Sequence, residues 1–76
     1  MRTKYYDVEH VGKKIQKRRE DKKLSLDDLS KKAGISKATI SRFENGKSFP
    51  SIYVFARLCE ALHISMDNIF SYQDKK

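Results

Sequence analysis

The chain has 76 residues, enough for one domain with a single modest core. Charged residues make up 36% of it and apolar residues 38%, and the apolar residues are spread along the whole length, which excludes a disordered tail and predicts a folded domain. No apolar run approaches the roughly 20 residues that span a bilayer, and the first residues lack the apolar segment of a signal peptide, so we expect neither a membrane protein nor a secreted one.

The net charge of +7 is distributed unevenly. Residues 1–50 contain 14 Lys and Arg against 7 Asp and Glu, whereas residues 51–76 contain three of each. A basic excess confined to one part of the chain favours an acidic partner such as nucleic acid over an ordinarily solvated surface. The single cysteine, Cys59, can form no internal disulfide and belongs to no metal-ligand pattern, so we expect no metal site and a reducing, cytoplasmic compartment.

The lack of an alternating strand pattern, with only one proline and three glycines, predicts an all-helical domain. The first helix is expected from about Asp7 to Lys23. The segment SLDD, residues 25–28, resembles a capping box and predicts the start of a second helix, which Gly34 would end because glycine adopts a left-handed backbone at least cost. The residues predicted to point inward from these two helices are Val8, Val11, Gly12, Ile15, Leu26, Leu29 and Ala33.

Three further helices are predicted, each after a capping serine. A third helix follows Ser36 and runs to about Asn45, a fourth follows Ser51, and a short fifth follows Ser65. The residues expected to point inward from these helices are Ile40, Phe43, Ile52, Phe55, Leu58, Cys59, Leu62, Met66, Ile69 and Phe70. The five helices predict a single domain over 1–76, with a core at about 8–70, an arm at 1–7 and a tail at 71–76.

The second and third predicted helices, joined by a tight turn, have the layout of a helix-turn-helix. At about 100° per residue, Ile40, Phe43 and Glu44 fall on one side of the third helix and a largely polar set falls on the other. Such a set can address guanine edges, phosphates and the thymine methyl group in a major groove. We predict that the base-reading residues are Lys37, Ala38, Ser41 and Arg42.

Lys37 lies in the first turn of its helix, where a cation opposes the helix macrodipole at a cost of a few tenths of a kcal/mol. A sequence selected for stability alone would avoid a lysine there, which favours a role in binding. The alternative is an incidental surface lysine, because exposed charges are tolerated at most positions.

Arg19 and Glu44 both fall on the inward faces of their helices, the first and the third. Burying either charge alone would cost several kcal/mol, so we predict that they face each other and share hydrogen bonds as a structural brace. The alternative is that Arg19 is exposed and binds phosphate.

The segments IQKRREDKKLSLDDLSKKAGISKATISRFENGKSFPS and LCEALHISMDNIF carry a resemblance to one family. They contain Ser30, Gly34, Ile40 and Phe43 at the family's packing positions and in its order, together with Arg19, FENGK and PS. On these residues the chain resembles the phage repressor and Cro-like helix-turn-helix regulators, also called the xenobiotic-response-element type. The resemblance covers about residues 8–70.

This resemblance implies a five-helix, lambda-repressor-like fold and a sequence-specific transcriptional regulator of double-stranded DNA, most simply a repressor that uses no cofactor. Members act as two-fold dimers on palindromic operators, with recognition helices about 34 Å apart. The resemblance implies that the four predicted base-reading residues contact base edges. It also implies that the loop after them contacts the phosphate backbone of DNA. The residues assigned to phosphate are Asn45, Lys47, Ser48, Ser36, Lys13 and Lys17, the last two from helical spacing alone.

The chain departs from the family pattern at two positions. Leu26 replaces a glutamine that contacts phosphate in many members, and His63 replaces a glycine, so it either tolerates a left-handed backbone or ends its helix differently. The lysines of the first helix are either a patch that flanks DNA or an ordinary solvated face. Tyr5 and Tyr6 have three open roles: packing on the domain edge, a dimer contact or a DNA contact.

A second hypothesis, of a different functional class, is an antitoxin-like module that neutralises a partner protein and regulates its own promoter. An enzyme is not expected, because neither His10 nor His63 has a serine or carboxylate partner at a readable spacing.

Overall fold

The computed structural model describes residues 8–66 and contains four helices in that range. These are α1 (Val8–Asp21), α2 (Leu26–Ala33), α3 (Lys37–Glu44) and α4 (Ile52–Leu62). No strand occurs among the described residues, so the all-helical class is confirmed. The predicted fifth helix lies outside the described residues apart from its first position, as do the predicted arm and tail.

The start of α2 is held by the predicted capping box. The Ser25 hydroxyl accepts a hydrogen bond from the backbone N–H of Asp28 at 3.0 Å, and the Asp28 carboxylate accepts one from the backbone N–H of Ser25 at 3.0 Å. The bond from the Ser25 backbone is the main reason why the pKa of the Asp28 carboxyl is lowered, so this acid stays ionised at the positive end of the helix. Ser36 and Ser51 cap α3 and α4 in a similar way, each accepting a backbone N–H three residues later.

Two residues with left-handed backbones end α2 and α4. Gly34 has φ 71°, which glycine adopts without the clash that a Cβ would bring. His63 has φ 59° and ψ 44°, so of the two alternatives for this position, tolerance of a left-handed backbone is the one observed. Its N–H donates a hydrogen bond to the Glu60 carbonyl at 3.1 Å, which helps to satisfy the end of α4.

The core forms where α1 and α2 pack against α3 and α4. Each large apolar side chain buried there contributes on the order of 1.5 to 3 kcal/mol. The fully buried ones are Val11, Ile15, Leu29, Ile40, Phe43, Phe55, Leu58 and Leu62. Their inward orientation was predicted from helical spacing and is confirmed.

Ile52 contradicts the predicted core, because it is 62% exposed. It is the first residue of α4 and lies at the margin of the buried face, which is centred on Phe55, Leu58 and Leu62. Ala61, which the spacing did not single out, is buried instead, at 7% exposure. The prediction that Ile52 points into the core was therefore wrong.

Three phenylalanine rings join the end of α3, the following loop and α4. The ring centroids of Phe43 and Phe49 are 5.2 Å apart, those of Phe43 and Phe55 5.9 Å, and those of Phe49 and Phe55 5.4 Å. These tilted and edge-on arrangements are the ones that aromatic pairs favour. The contact attaches the loop at residues 45–51 to the core through Phe49.

Gly12 lets α1 and α3 approach closely. A Cβ built at this position would overlap the carbonyl oxygen of Phe43 and lie 3.3 Å from the Cα of Glu44. The backbone of α3 therefore occupies the space that any larger residue would need, which places the end of α3 directly against the middle of α1.

The same two helices are joined by the charged pair that the sequence predicted. The Arg19 guanidinium donates from Nε to Glu44 Oε2 at 2.8 Å and from Nη2 to Glu44 Oε1 at 3.1 Å. Its Nη1 donates to the Leu24 carbonyl at 2.8 Å. Glu44 is 3% exposed and the Arg19 side chain 11%, so the alternative of an exposed, phosphate-binding Arg19 is excluded. The side-chain hydrogen bonds to Glu44 raise the pKa of the Arg19 guanidinium, which keeps this group charged.

Gly12→Ala is expected to destabilise the fold by about 1 to 3 kcal/mol, because the new Cβ would force α1 and α3 apart. Helix propensity alone predicts the opposite sign, a gain of roughly 1 kcal/mol for alanine over glycine. Urea unfolding followed by circular dichroism measures the difference, with the exposed change Lys13→Ala on the same helix as the control. A variant as stable as the wild type would contradict the close contact.

Glu44→Ala is expected to lower the free energy of unfolding by about 3 kcal/mol or more, because it leaves the Arg19 guanidinium buried without its carboxylate. Glu20→Ala is the matched control: it removes an exposed carboxylate 3.9 Å from the same guanidinium and should change stability by less than about 0.5 kcal/mol. Thermal melting of both variants makes the comparison. Equal losses would argue against a special role for the buried pair.

Candidate nucleic-acid interface

A three-residue turn, Gly34 to Ser36, connects α2 to α3 and sets the angle between them. The Ser30 hydroxyl donates a hydrogen bond to the Ile35 carbonyl at 2.6 Å, and the Ile35 N–H donates to the Ser30 carbonyl at 3.2 Å. Ile35 is buried among the core residues. Polar and apolar contacts thus both hold the turn, and the second helix of the pair is presented in one orientation.

The α3 helix has a buried side and an open side. Ile40, Phe43 and Glu44 are buried, as their helical phase predicts. The structure places the four predicted base-reading residues on the other side. Lys37, Ala38 and Arg42 are exposed, and Ser41 is partly exposed. The open side therefore carries two long cations, one hydroxyl and one methyl group.

Three of the residues predicted to contact DNA, Ser36, Ser41 and Asn45, make hydrogen bonds within the protein. The Ser36 hydroxyl accepts from the Thr39 N–H at 3.2 Å and lies 2.9 Å from the Thr39 hydroxyl, to which it donates. The Asn45 amide donates to the Ser41 hydroxyl at 3.4 Å. Ser36, predicted to contact phosphate, is thus also the residue that caps α3. Ser41 and Asn45, assigned to different roles, are brought together.

Lys47 and Ser48 are exposed in the loop after α3. The Lys47 N–H donates to the Arg42 carbonyl at 2.8 Å, and Gly46 has φ 74°, so the chain turns sharply away from the helix axis at this point. The loop then returns to the core at Phe49, which leaves Lys47 and Ser48 on its outer side, next to the end of α3.

Lys13 and Lys17 are exposed on α1, one turn apart. Lys17 lies 3.7 Å from the Asp21 carboxylate, with the two side chains 78% and 57% exposed. An exposed pair of this kind is worth little and leaves the lysine available to other anions.

Lys37 has a neighbour that the sequence did not indicate. Its ammonium lies 3.6 Å from Oδ1 of Asp27, in the first turn of α2, while Oδ2 of the same carboxylate lies 3.6 Å from the Lys31 ammonium. Asp27 and Lys31 are four residues apart on one helix, a spacing that sequence reasoning can identify. The contact between Asp27 and Lys37 depends on the angle between two helices and has no signature in the sequence.

Metal binding, thiol chemistry and membrane insertion have no matching site among residues 8–66. Residues 8–66 contain no group of three or more histidine, cysteine or acidic side chains able to hold a metal ion. Burial raises the pKa of the Cys59 thiol to about 11, which is typical of a structural cysteine. None of the helices in this range has the length and apolar character needed to cross a membrane.

Comparison with known proteins agrees with this geometry. The helix-turn-helix family model HTH_3 matches residues 15–69, more than half of the chain. The chain is 36% identical over 63 residues to the HTH-type transcriptional repressor RghR of Bacillus subtilis, covering 82% of this chain and 47% of RghR. It is 30% identical over 66 residues to the HTH-type transcriptional regulator SinR of Bacillus licheniformis, covering 86% of this chain and 60% of SinR. The chain thus spans only about half to three fifths of these relatives.

A solved structure has the same fold. The crystal structure of SinR, described as the master regulator for biofilm formation and solved in complex with DNA, superposes with a TM-score of 0.74 at 31% identity. The match covers 80% of this chain and 98% of that one. These relatives are transcription regulators rather than enzymes. The chain belongs to the HTH_3 (Cro/C1-type) family of DNA-binding helix-turn-helix transcription regulators.

Proposed function

We propose that this domain is a sequence-specific binder of double-stranded DNA that represses transcription as a homodimer on a palindromic operator. The observation that carries the proposal is the division of α3 into two sides. One side is tied to α1 through Glu44, and the other exposes Lys37 and Arg42 to solvent. A rigidly held helix with cations on its open side suits insertion into a major groove.

In this proposal the outer side of α3 reads bases. Arg42 is in the last turn and can donate two hydrogen bonds to the O6 and N7 atoms of a guanine. Lys37, at the start of α3, can donate to base acceptors near that end of the helix. The Ala38 methyl group can contact a thymine methyl group. Ser41, one residue before Arg42, offers a hydroxyl that Asn45 already orients.

Phosphate contacts would surround this reading helix. Lys47 and Ser48 occupy the loop that follows α3, and Lys13 and Lys17 are exposed on α1, against which α3 packs. Contacts of this class position a protein on DNA and supply the salt-dependent part of its affinity, without reading sequence.

The small size of the reading surface supports the dimer in this proposal. A single α3 of eight residues is about 12 Å long and can address only a few base pairs. Two copies related by a two-fold axis would double the recognised sequence and give a palindromic operator with half-sites about 34 Å apart. Repression would result where such an operator overlaps the site of polymerase binding. The antitoxin-like alternative gains no support from the relatives.

Selection of duplexes from a random pool is expected to enrich one palindromic sequence whose half-sites are one helical turn apart, because two α3 helices would read it together. Sedimentation of the protein with the enriched duplex should give two chains per duplex. Enrichment of a single, non-repeated half-site would argue against the dimer. Failure to enrich any sequence would argue against specific DNA binding altogether.

Arg42→Ala and Lys47→Ala are expected to weaken DNA binding in different ways. Arg42→Ala should cost about 1 to 3 kcal/mol on the enriched duplex and much less on random DNA, because it removes a base contact. Lys47→Ala should weaken both duplexes alike and reduce the slope of log affinity against log salt by about one unit, because it removes a phosphate contact. Fluorescence anisotropy over a salt series measures both. Equal losses of Arg42→Ala on the two duplexes would contradict its base-reading role.

A further inference from the structure

Asp27 is an acidic residue at the border of the proposed reading surface. Its carboxylate lies between two ammonium groups, with Lys31 on its own helix and Lys37 on α3, each at 3.6 Å. All three side chains are more than half exposed, at 55%, 79% and 58% respectively. An anion at this place opposes the attraction of the surface for DNA.

Lys37 finds no acidic partner on its own helix. The first turn of α3 contains no acidic residue, and Glu44, at the other end, is held by Arg19. Its unfavourable position at the positive end of the helix is compensated from α2, by the Asp27 carboxylate. This contact also restricts the directions in which the flexible lysine side chain can extend.

We propose that Asp27 is a specificity-determining residue of the DNA-reading surface, which acts by directing the Lys37 ammonium towards base edges and away from phosphates. The inference rests on the proposed function. A lysine at such a surface can donate to phosphate oxygens or to base edges, and only the base edges carry sequence information.

The Asp27 carboxylate favours base edges over phosphates as acceptors for Lys37. An ammonium group has three donors, and at 3.6 Å the contact with Asp27 is longer than a good hydrogen bond, so the group can turn towards a neutral acceptor such as guanine O6 or N7 while staying beside the carboxylate. A phosphate that approached Lys37 would come close to the Asp27 carboxylate and be repelled by it. Asp27 therefore disfavours contacts of Lys37 with phosphates, which every DNA sequence offers. It disfavours less the contacts with base edges, which only a particular sequence offers.

Asp27→Asn tests this directly, because it removes the charge and keeps the shape of the side chain. We expect the affinity for a random-sequence duplex to rise about two- to fivefold, the range that one exposed ion pair accounts for, with a smaller rise for the duplex that the wild type enriches. The ratio of the two affinities, measured by fluorescence anisotropy at fixed salt, should therefore fall.

Two further variants separate this role from a simple change of net charge. Glu60→Gln removes one exposed carboxylate from α4 and should raise both affinities by the same small factor, leaving their ratio unchanged. In a Lys37→Met background, where there is no ammonium to direct, Asp27→Asn should leave the ratio unchanged as well. Melting temperatures of all variants show whether each remains folded at the temperature of measurement.

The outcomes distinguish the inference from the function on which it rests. A wild-type protein that prefers its enriched duplex, with an Asp27→Asn variant of unchanged ratio, overturns the inference and leaves the function standing. The same holds if Glu60→Gln lowers the ratio equally, or if the effect of Asp27→Asn persists in the Lys37→Met background. A wild-type protein that binds all duplexes alike overturns both.

Discussion

Two hydrogen bonds between the Arg19 guanidinium and the Glu44 carboxylate attach the helix proposed to read DNA to the first helix of the domain. Both side chains are almost fully removed from water, so either charge would be strongly unfavourable without the other as its partner. Nearby, Gly12 brings the backbones of the same two helices into contact. The orientation of α3, and with it the direction in which its outer side faces, depends on this junction.

The junction also explains how an acidic residue can lie within the most basic part of the chain. Glu44 follows Arg42 by two residues and precedes Lys47 by three, yet it faces inward, and its charge is matched by a guanidinium inside the protein. The outer surface keeps its positive charge. Asp27 is the contrasting case, since its carboxylate is exposed and lies beside Lys37. One acid stabilises the fold, and the other is placed to modulate the surface.

The helices and most of the core could be predicted because their signals are local. A capping serine precedes each of α2, α3 and α4, a glycine ends α2, and apolar residues recur at steps of three and four. The predictions of the core fail or fall short at positions where helical spacing is not informative. Ile52 satisfies the helical spacing but lies at the edge of the buried face. Phe49 lies in a loop without periodicity, although its ring packs against both Phe43 and Phe55.

The amino-acid sequence alone was enough to predict α1 to α4, their apolar faces and the pairing of Arg19 with Glu44, because helical phase and the cost of burying an unpaired charge depend on the order of residues in the chain. It also identified the family, through residues whose order and spacing are local. The contact between Asp27 and Lys37 and the hydrogen bond between Ser41 and Asn45 are visible only in the folded domain. Such contacts depend on crossing angles and rotamers, which many packed side chains set together and no single stretch of sequence encodes.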